Sequence, residues 1–538
     1  MATHFKWYPD NEEVIIPWNA RYSFPSQANK AEKMTPRIPP KNGAAFSPGQ
    51  VIRLEFPAQG YVNPINTTLE FDVVLYGYAP ATTQQLRFQN NIQSLFQRVR
   101  LLYGATPIED IINYNVIVRC LTEWTGTNTY NSMDQTSIAD GVGGWVMGTD
   151  GSNPPKYGPV NVRQKYIQGI STVVPAVPAD LTAGTGFGKI PQSAVYPAGC
   201  PVPAGDYCVR RYQVNFALGM FTQDKLIPTK FMASQLAIEI TLEQPTACIY
   251  VCPGSVTGTT PGLPGPTYAV ANVNLIPEIL QFDASYDAMF LQGLRDGGVP
   301  IKFSSWHTFI YSSANSASLQ LQVQERSRSV KALFAVQREP IPSYTLDMGA
   351  CLFDTTNGEG TMNTYQFRVG GRYFPAAPVQ CSAALGSKAS NGGAEAYVEL
   401  AKALNIVGDY RLSSATNSLS FGVSAAASRR CVTDYQSTAG ARVSTGQIVI
   451  ADLRESSTNA FCGNMPSSSF ACAVSLETSN GLEISGLNAE EQSDIAFLVN
   501  WSDPQVDGGD TRPTSIEVYS YYDAMIVLRE NNVMELIL

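Results

Sequence analysis

The sequence predicts an all-β protein built from two tandem copies of one unit, and three observations predict it. Short apolar and aromatic runs with a period of two alternate with stretches rich in Gly, Pro, Ser and Asn, the pattern of strands joined by turns and long loops. The 538 residues include 43 Gly, 35 Pro, 26 Tyr and 23 Phe. The closing pattern of the chain occurs twice: Tyr286-Asp287-Ala288-Met289 recurs as Tyr522-Asp523-Ala524-Met525, with Leu280 matched by Ile516, Phe282 by Val518 and Phe290 by Ile526. At nearly the same offset, Gln97-Arg98-Val99-Arg100-Leu101-Leu102-Tyr103 is similar to Arg328-Ser329-Val330-Lys331-Ala332-Leu333-Phe334. A duplicated unit of about 240 residues predicts that the second copy of its last strand closes the chain, which it does. The bland alternative is two coincidental strand patterns.

Residues 1–48 form an arm. Pro9, Pro17, Pro25, Pro36, Pro39 and Pro40 forbid a long helix and favour extended chain. Trp7, Tyr8, Val14, Ile15, Ile16, Trp18, Tyr22 and Phe24 give the arm a surface that packs on a neighbouring subunit or under its own domain. The first repeat, 49–296, opens with the alternating run Val51 to Phe56, followed by strands at Thr68 to Tyr76 and Phe96 to Tyr103. Thr106 as cap, Pro107 at the first position and Glu109 and Asp110 at the positive end predict a helix. Ile108, Ile112, Val116 and Cys120 would supply its apolar stripe. A long Gly/Pro/Thr/Asn excursion covers 122–211, and a connection that long is a projecting or functional loop. Strands resume at Tyr212 to Phe221 and Leu236 to Leu242, a second excursion runs from Gln244 to Thr267, and Glu278 to Leu291 closes the unit. The second repeat, 297–538, predicts strands at Ile301 to Tyr311, Leu319 to Val323 and Val330 to Val336. It also predicts a helix at Ala394 to Leu404 that echoes the first, and a third helix starting at Asn488.

Composition narrows the function. Only 15% of residues are charged against 44% hydrophobic, low for a free monomer and suited to a chain that buries surface against neighbours. A net charge of −9 and the absence of any basic run argue against coating nucleic acid, since neutralising phosphates takes clustered Lys and Arg. The richest basic region, with Lys6, Arg21, Lys30, Lys33, Arg37 and Lys41, is offset by Asp10, Glu12, Glu13 and Glu32. No apolar run reaches the 18 or so residues of a membrane span, and the start lacks an apolar signal core, so synthesis in the cytosol is the expectation. In that setting the ten cysteines (Cys120, Cys200, Cys208, Cys248, Cys252, Cys351, Cys381, Cys431, Cys462 and Cys472) are free thiols, mostly buried. The sequons at Asn66 and Asn500 carry no meaning without secretion.

Chemistry finds little footing. His4 and His307 are the only histidines, which leaves no room for multi-histidine metal sites and little for Ser-His-Asp or Cys-His catalysis. His307, inside an apolar strand pattern, reads as a core or interface residue. Cys248 and Cys252 lack a second pair to complete a zinc set. Gly184-Thr185-Gly186-Phe187-Gly188-Lys189 has neither the spacing nor the following Ser or Thr of a phosphate loop, and Gly141 to Gly144 opens no helix. Glu109/Asp110 and Glu490/Glu491 read as helix-start charges rather than acid–base pairs. Distant carboxylates of a glycosidase stay possible. Trp7, Tyr8 and Trp18 suit subunit packing better than sugar or membrane. No catalytic, cofactor-binding or metal residue is assigned.

Two β-rich units of this size suggest two fused jelly rolls, each of eight strands. Ser94 to Gly104, Ile108 to Ile111 and Tyr114-Asn115, with Gly371-Arg372-Tyr373-Phe374-Pro375-Ala376-Ala377-Pro378-Val379, resemble segments of the double jelly-roll major capsid proteins of DNA viruses, of the polinton-like virus and virophage type. The resemblance implies a non-enzymatic virion protein. Its homotrimers would form pseudo-hexameric capsomers tiling an icosahedral shell, beside neighbouring capsomers, penton and minor capsid proteins. It also implies that 122–211 and the Gln244 to Thr267 excursion form outward towers, with the arm at the base. Two readings stay beside it: a single jelly-roll capsid protein with long loops, and a β-sandwich carbohydrate-active enzyme or lectin.

Overall fold

In the computed structural model the described residues are 31–76, 85–88, 92–125, 145–148, 156–159, 208–252, 267–312, 318–338, 362–381, 394–407, 431–433, 449–451, 463–464, 470–477, 485–490, 494–501, 515–529 and 534–537. In the first half these are β1 (Ala31–Met34), β2 (Ala45–Phe46), β3 (Val51–Glu55), β4 (Tyr61–Tyr76), β5 (Gln85–Phe88), β6 (Phe96–Tyr103), β7 (Thr106–Ile112), α1 (Tyr114–Thr125), β8 (Trp145–Gly148), β9 (Lys156–Pro159), β10 (Cys208–Asn215), α2 (Gly219–Thr222), β11 (Leu236–Leu242), α3 (Pro245–Cys248), β12 (Ile249–Cys252) and β13 (Thr267–Phe282). Helix α4 (Ala284–Arg295) leads to the second half: β14 (Val299–Ser312), β15 (Ser318–Gln322), β16 (Val330–Arg338), β17 (Met362–Val369), β18 (Arg372–Gln380), α5 (Ala394–Ala403), β19 (Cys431–Thr433), β20 (Val449–Ala451), β21 (Gly463–Asn464), β22 (Cys472–Ser475), β23 (Ile495–Trp501), β24 (Ser515–Leu528) and β25 (Met534–Ile537).

The first half makes one sheet in the order β1-β13-β4-β10, with β2 also on β13, and a second in the order β3-β11-β6-β7. The second half makes β14-β24-β16-β22, with β25 also on β24, and β15-β23-β17-β18. Numbering the main strands of either half in chain order gives the same pair, 1-8-3-6 against 2-7-4-5. That is the jelly-roll order, and the chain contains it twice. We call the halves roll 1 and roll 2. Two separate rolls exclude the single jelly roll with long loops.

The core lies between the paired sheets and follows strand alternation. In roll 1, Leu69, Phe71 and Val73 of β4 are buried, and Phe71 packs on Phe96 of the opposite sheet at 5.6 Å. In roll 2, Cys472 of β22 places its sulfur 3.7 Å from that of Met362 in the facing sheet. Cys120, Cys248, Cys381 and Cys472 are buried and form no disulfide.

Several sequence expectations need correction. The helix predicted from Pro107 is a strand, β7, and the helix starts seven residues later at Tyr114. Gly104 at φ 61° turns the chain into a β6–β7 hairpin, where Arg98 reaches Asp110 across the strands, and Asn113 at φ 53° starts the helix. The two Tyr-Asp-Ala-Met copies differ in structure. The first lies in α4, capped by Asp283, whose carboxylate accepts from the Tyr286 backbone N–H, and the second lies in strand β24. The other anchor pairs β6, fourth strand of roll 1, with β16, third strand of roll 2. The repeat is therefore one of topology: only the leading residues of the first match, at the end of β13 and the start of β24, fall on equivalent strands, and the second match joins strands that are not equivalent.

Asn488 opens no helix: its side chain accepts from the Glu490 N–H in a local turn, and β23 begins at Ile495. The strand expected to Phe221 stops at Asn215, where α2 follows. Within the arm, Ala31–Met34 pairs with β13, Ala45 and Phe46 pair with it again, and Ile38 exchanges two backbone hydrogen bonds with Leu275. The 244–267 excursion contains α3 and β12, which pairs with β5. Most of 122–211 lies outside the described residues, which hold the β8–β9 hairpin there.

Candidate functional site at the seam between the rolls

The two rolls meet along a buried seam. Strand β7 is the edge of the second sheet of roll 1, and it lies against β14, the edge of the first sheet of roll 2. Glu109 projects from β7 into this seam and is only 1% exposed. Its carboxylate accepts the backbone N–H groups of Gly219 and Met220 at 2.8 Å each and the Ser305 hydroxyl of roll 2 at 2.6 Å. Burial pushes the Glu109 carboxyl up from its ordinary range, and the hydroxyl and two amides pull the other way. Three donors around one carboxylate tie β7, the start of α2 and β14 together. Gly219 fits because it has no side chain: a Cβ there would lie 2.0 Å from the Ser304 carbonyl oxygen of β14.

Two more polar links cross the seam. Asn113 donates to Glu517 of β24 at 2.9 Å, and Thr308 of β14 donates to the Ile112 carbonyl at 2.9 Å. Glu517 is fully buried and also accepts from the Tyr519 hydroxyl. Beside them lies an aromatic stack. Trp124 of α1 lies flat on Phe334 of β16 at 5.5 Å and 16°, Phe334 packs on Trp306 at 5.4 Å, and Trp306 packs on Tyr521 at 4.6 Å. Phe334 pairs with Tyr519 while its neighbours Leu333 and Ala335 pair with Val474 and Cys472, so the aromatic stack lies on the face turned away from the core of roll 2.

Charges on roll 2 near the seam are paired. His307 holds Glu325 at 3.0 Å and lies on the Tyr522 ring at 4.0 Å. Burial would raise the Glu325 carboxyl, but His307 and Ser327 outweigh it and hold the group down at about 2. Lys331 meets Asp523 at 2.8 Å; burial disfavours the ammonium, and the Asp523 carboxylate more than restores it, so the lysine sits above its ordinary value.

The structure gives the sequence-picked residues different fates. Glu109 is the centre of the seam rather than a helix-start charge, and its neighbour Asp110 is a hairpin partner of Arg98. His307 is half-buried within roll 2, paired with Glu325 and stacked on Tyr522. Glu490 pairs with Arg328 on the surface at 2.9 Å. Buried Cys248 bonds locally to the Gln244 carbonyl at 3.4 Å. His4, Trp7, Tyr8, Trp18, Gly141 to Gly144 and Gly184 to Lys189 lie outside the described residues. Sequence reasoning missed Gly219, Ser305, Trp124 and Glu517. Only the isolated polar residue Glu517 within an apolar strand could have flagged one of them. Among the described residues no group of three His, Cys, Asp or Glu could hold a metal, and no helix is long and apolar enough to cross a membrane.

No protein-family model matches the chain, and no curated protein matches its sequence. Its course is similar to that of solved viral chains. A chain of the Sputnik virophage structure shares 9% identity over 100% of this chain and 93% of that chain, with a TM-score of 0.49. The mavirus major capsid protein shares 9% over 99% and 96%, with a TM-score of 0.47. The Faustovirus major capsid protein shares 9% over 96% and 93%, with a TM-score of 0.47. What defines the class here, a double jelly roll, is the strand order that this chain repeats within itself.

Proposed function

We propose that this chain is the major capsid protein of a DNA virus, a structural subunit with no catalytic centre. One observation carries the reading: two rolls of identical strand order are locked side by side by a buried seam within one subunit. Three such subunits around a threefold axis present six similar rolls, which is the shape of a block for hexagonal tiling. The resemblance of 94–115 and 371–379 to double jelly-roll capsid proteins supplies the family. Those segments hold the β6–β7 hairpin with the start of α1, and the β17–β18 hairpin.

In this reading the chain divides into an arm (1–48), whose β1 and β2 supply the opening strand of roll 1, the rest of the first roll (49–296) and a second roll (297–538). The 122–211 excursion forms an outward tower, and penton and minor capsid proteins complete a shell that assembles inside the host cell. The low charge content suits a subunit whose sides are covered by neighbours. Sedimentation velocity and native mass spectrometry of purified protein test it: a trimer is expected, and negative-stain images should show hexagonal outlines. A stable monomer at micromolar concentration would sink the proposal.

A further inference from the structure

At one end the core of roll 2 departs from that of roll 1. Leu333 and Ala335 of β16 face the core, and the register runs without a shift from Ala332 to Arg338, so alternation turns Gln337 inward as well. Gln337 is 0% exposed, and among the described residues neither its amide oxygen nor its amide nitrogen has a hydrogen-bond partner. Turning the amide over exchanges two unpartnered atoms and satisfies neither. On β23 of the facing sheet, Phe497, Val499 and Trp501 alternate inward. Trp501 is 5% exposed, and its indole N–H is also without a partner among the described residues.

Register brings the two side chains to the same end of the roll. Trp501 pairs with Met362, the Met362 sulfur meets that of Cys472, and Cys472 pairs with Ala335, two residues before Gln337. Ile516, opposite Gln337 in β24, is fully buried. The surroundings are therefore apolar or sulfur-bearing and offer an amide almost nothing. In roll 1 the strands of the same order, β4 and β11, turn only apolar side chains inward, among them Phe71, Val73, Ile238 and Ile240. A buried amide and a buried indole N–H each cost free energy unless they are hydrogen-bonded. Between them they present an acceptor and several donor hydrogens, and a water molecule both accepts and donates. A water that accepts from the indole and donates to the amide oxygen has the minimum set of partners that holds water inside a protein.

We propose that this end of roll 2 is an internal water-binding site, in which ordered water bridges the Gln337 amide and the Trp501 indole between the two sheets. The site goes beyond the capsid reading and does not depend on it. It couples two strands that share no backbone ladder, β16 in one sheet and β23 in the other, through solvent rather than through side-chain packing. Loss of either polar group strands the other in an apolar enclosure, whereas loss of both together removes the need for the water.

A density map of the full chain at a resolution that shows ordered solvent, with urea titration of Gln337→Met, Trp501→Phe and the double variant, tests this. Solvent density within hydrogen-bond distance of both the Gln337 amide and Trp501 Nε1 is expected. Each single variant should raise the unfolding equilibrium constant about tenfold, and the double variant by clearly less than the product of the two. Should a variant fail to fold, the wild-type density alone decides. A dry density at this end, or chain atoms bonded to the Gln337 amide in place of solvent, would overturn the site. Effects that multiply in full would show that no shared water joins the two groups, and would overturn the bridge. Either failure leaves the capsid reading standing.

Discussion

In roll 2 the first sheet turns Phe334, Trp306 and Tyr521 away from its own core; in roll 1 the same sheet turns away Glu70, Asp72 and Arg211. Strand order is the same in both. The inner faces agree as well, with Phe71 in one roll and Leu333 in the other fully buried. The difference lies in what covers the outer face: α1 lies on the aromatic sheet within the chain, and nothing among the described residues covers Arg211 to that degree. Strand alternation and the hydrophobic effect constrain the inner face in the same way in each copy. The outer face answers to its neighbour. A permanent neighbour in the same chain permits a dry aromatic contact, and a face open to water keeps its charges.

Substitutions can break this contrast or sharpen it. The largest effect is expected from Trp124→Ala, which empties a fully packed contact between the rolls and should lower unfolding free energy by about 3–5 kcal/mol in urea titration at fixed protein concentration. A loss below about 1 kcal/mol would mean that the stack does not hold the rolls together. Next comes Glu109→Leu, which leaves the Gly219 and Met220 amides and the Ser305 hydroxyl without their acceptor; a cost of about 2–4 kcal/mol is expected, with Glu109→Gln intermediate.

The Glu325 carboxyl gives a pH signature of at most about 3 kcal/mol. Its folded value lies near 2, below the ordinary 4.5, so its stabilisation is complete above that ordinary value and fades as pH falls through the interval to about 2. Glu325→Gln should flatten the acid limb of stability against pH in that interval, and an unchanged slope would show that the His307 contact is not formed in solution. The smallest effect belongs to roll 1: Asp72→Asn should change monomer stability by less than about 1 kcal/mol, since its Arg211 partner is more than half exposed and screened by water. A larger loss would show the charged face to be as integral as the aromatic one.

Much of this architecture was legible, for physical reasons that vary along the chain. Val51 to Glu55 and Leu236 to Leu242 show a plain period of two or a compact β-branched run, and both are strands as predicted. Ala394 to Ala403 consists of good helix formers and is a helix. The segment after Gly104 misled because Thr, Pro, Glu and Asp are good helix starters when judged locally. Cross-strand pairing with β6 and the demand for an acceptor facing Gly219 and Ser305 override that preference. The Tyr-Asp-Ala-Met copies misled in the opposite way: identical tetrapeptides take different structures when one follows an Asp cap and the other lies among β-branched neighbours. The expectation of two copies held although one of its two anchors was false: Leu280 and Phe282 of β13 do match Ile516 and Val518 of the equivalent β24, whereas β6 and β16 are not equivalent strands. The seam was not, because Trp124 and Phe334 are far apart in sequence and nothing local marks them as partners.

The strand that opens roll 1 is broken where its equivalent in roll 2 is continuous. Ile38 bonds to Leu275 in both directions, but Pro36 and Pro40 on either side have no amide to add to that ladder, and Pro39 offers none to a strand arriving from outside. Asn42 then folds over the rim of β3, taking the Val51 carbonyl and the Arg53 amide. The margins formed by β1–β2 and by β3 are thus poor templates for fibrous stacking. Copies crowded together can press these margins flank to flank without zipping into amyloid.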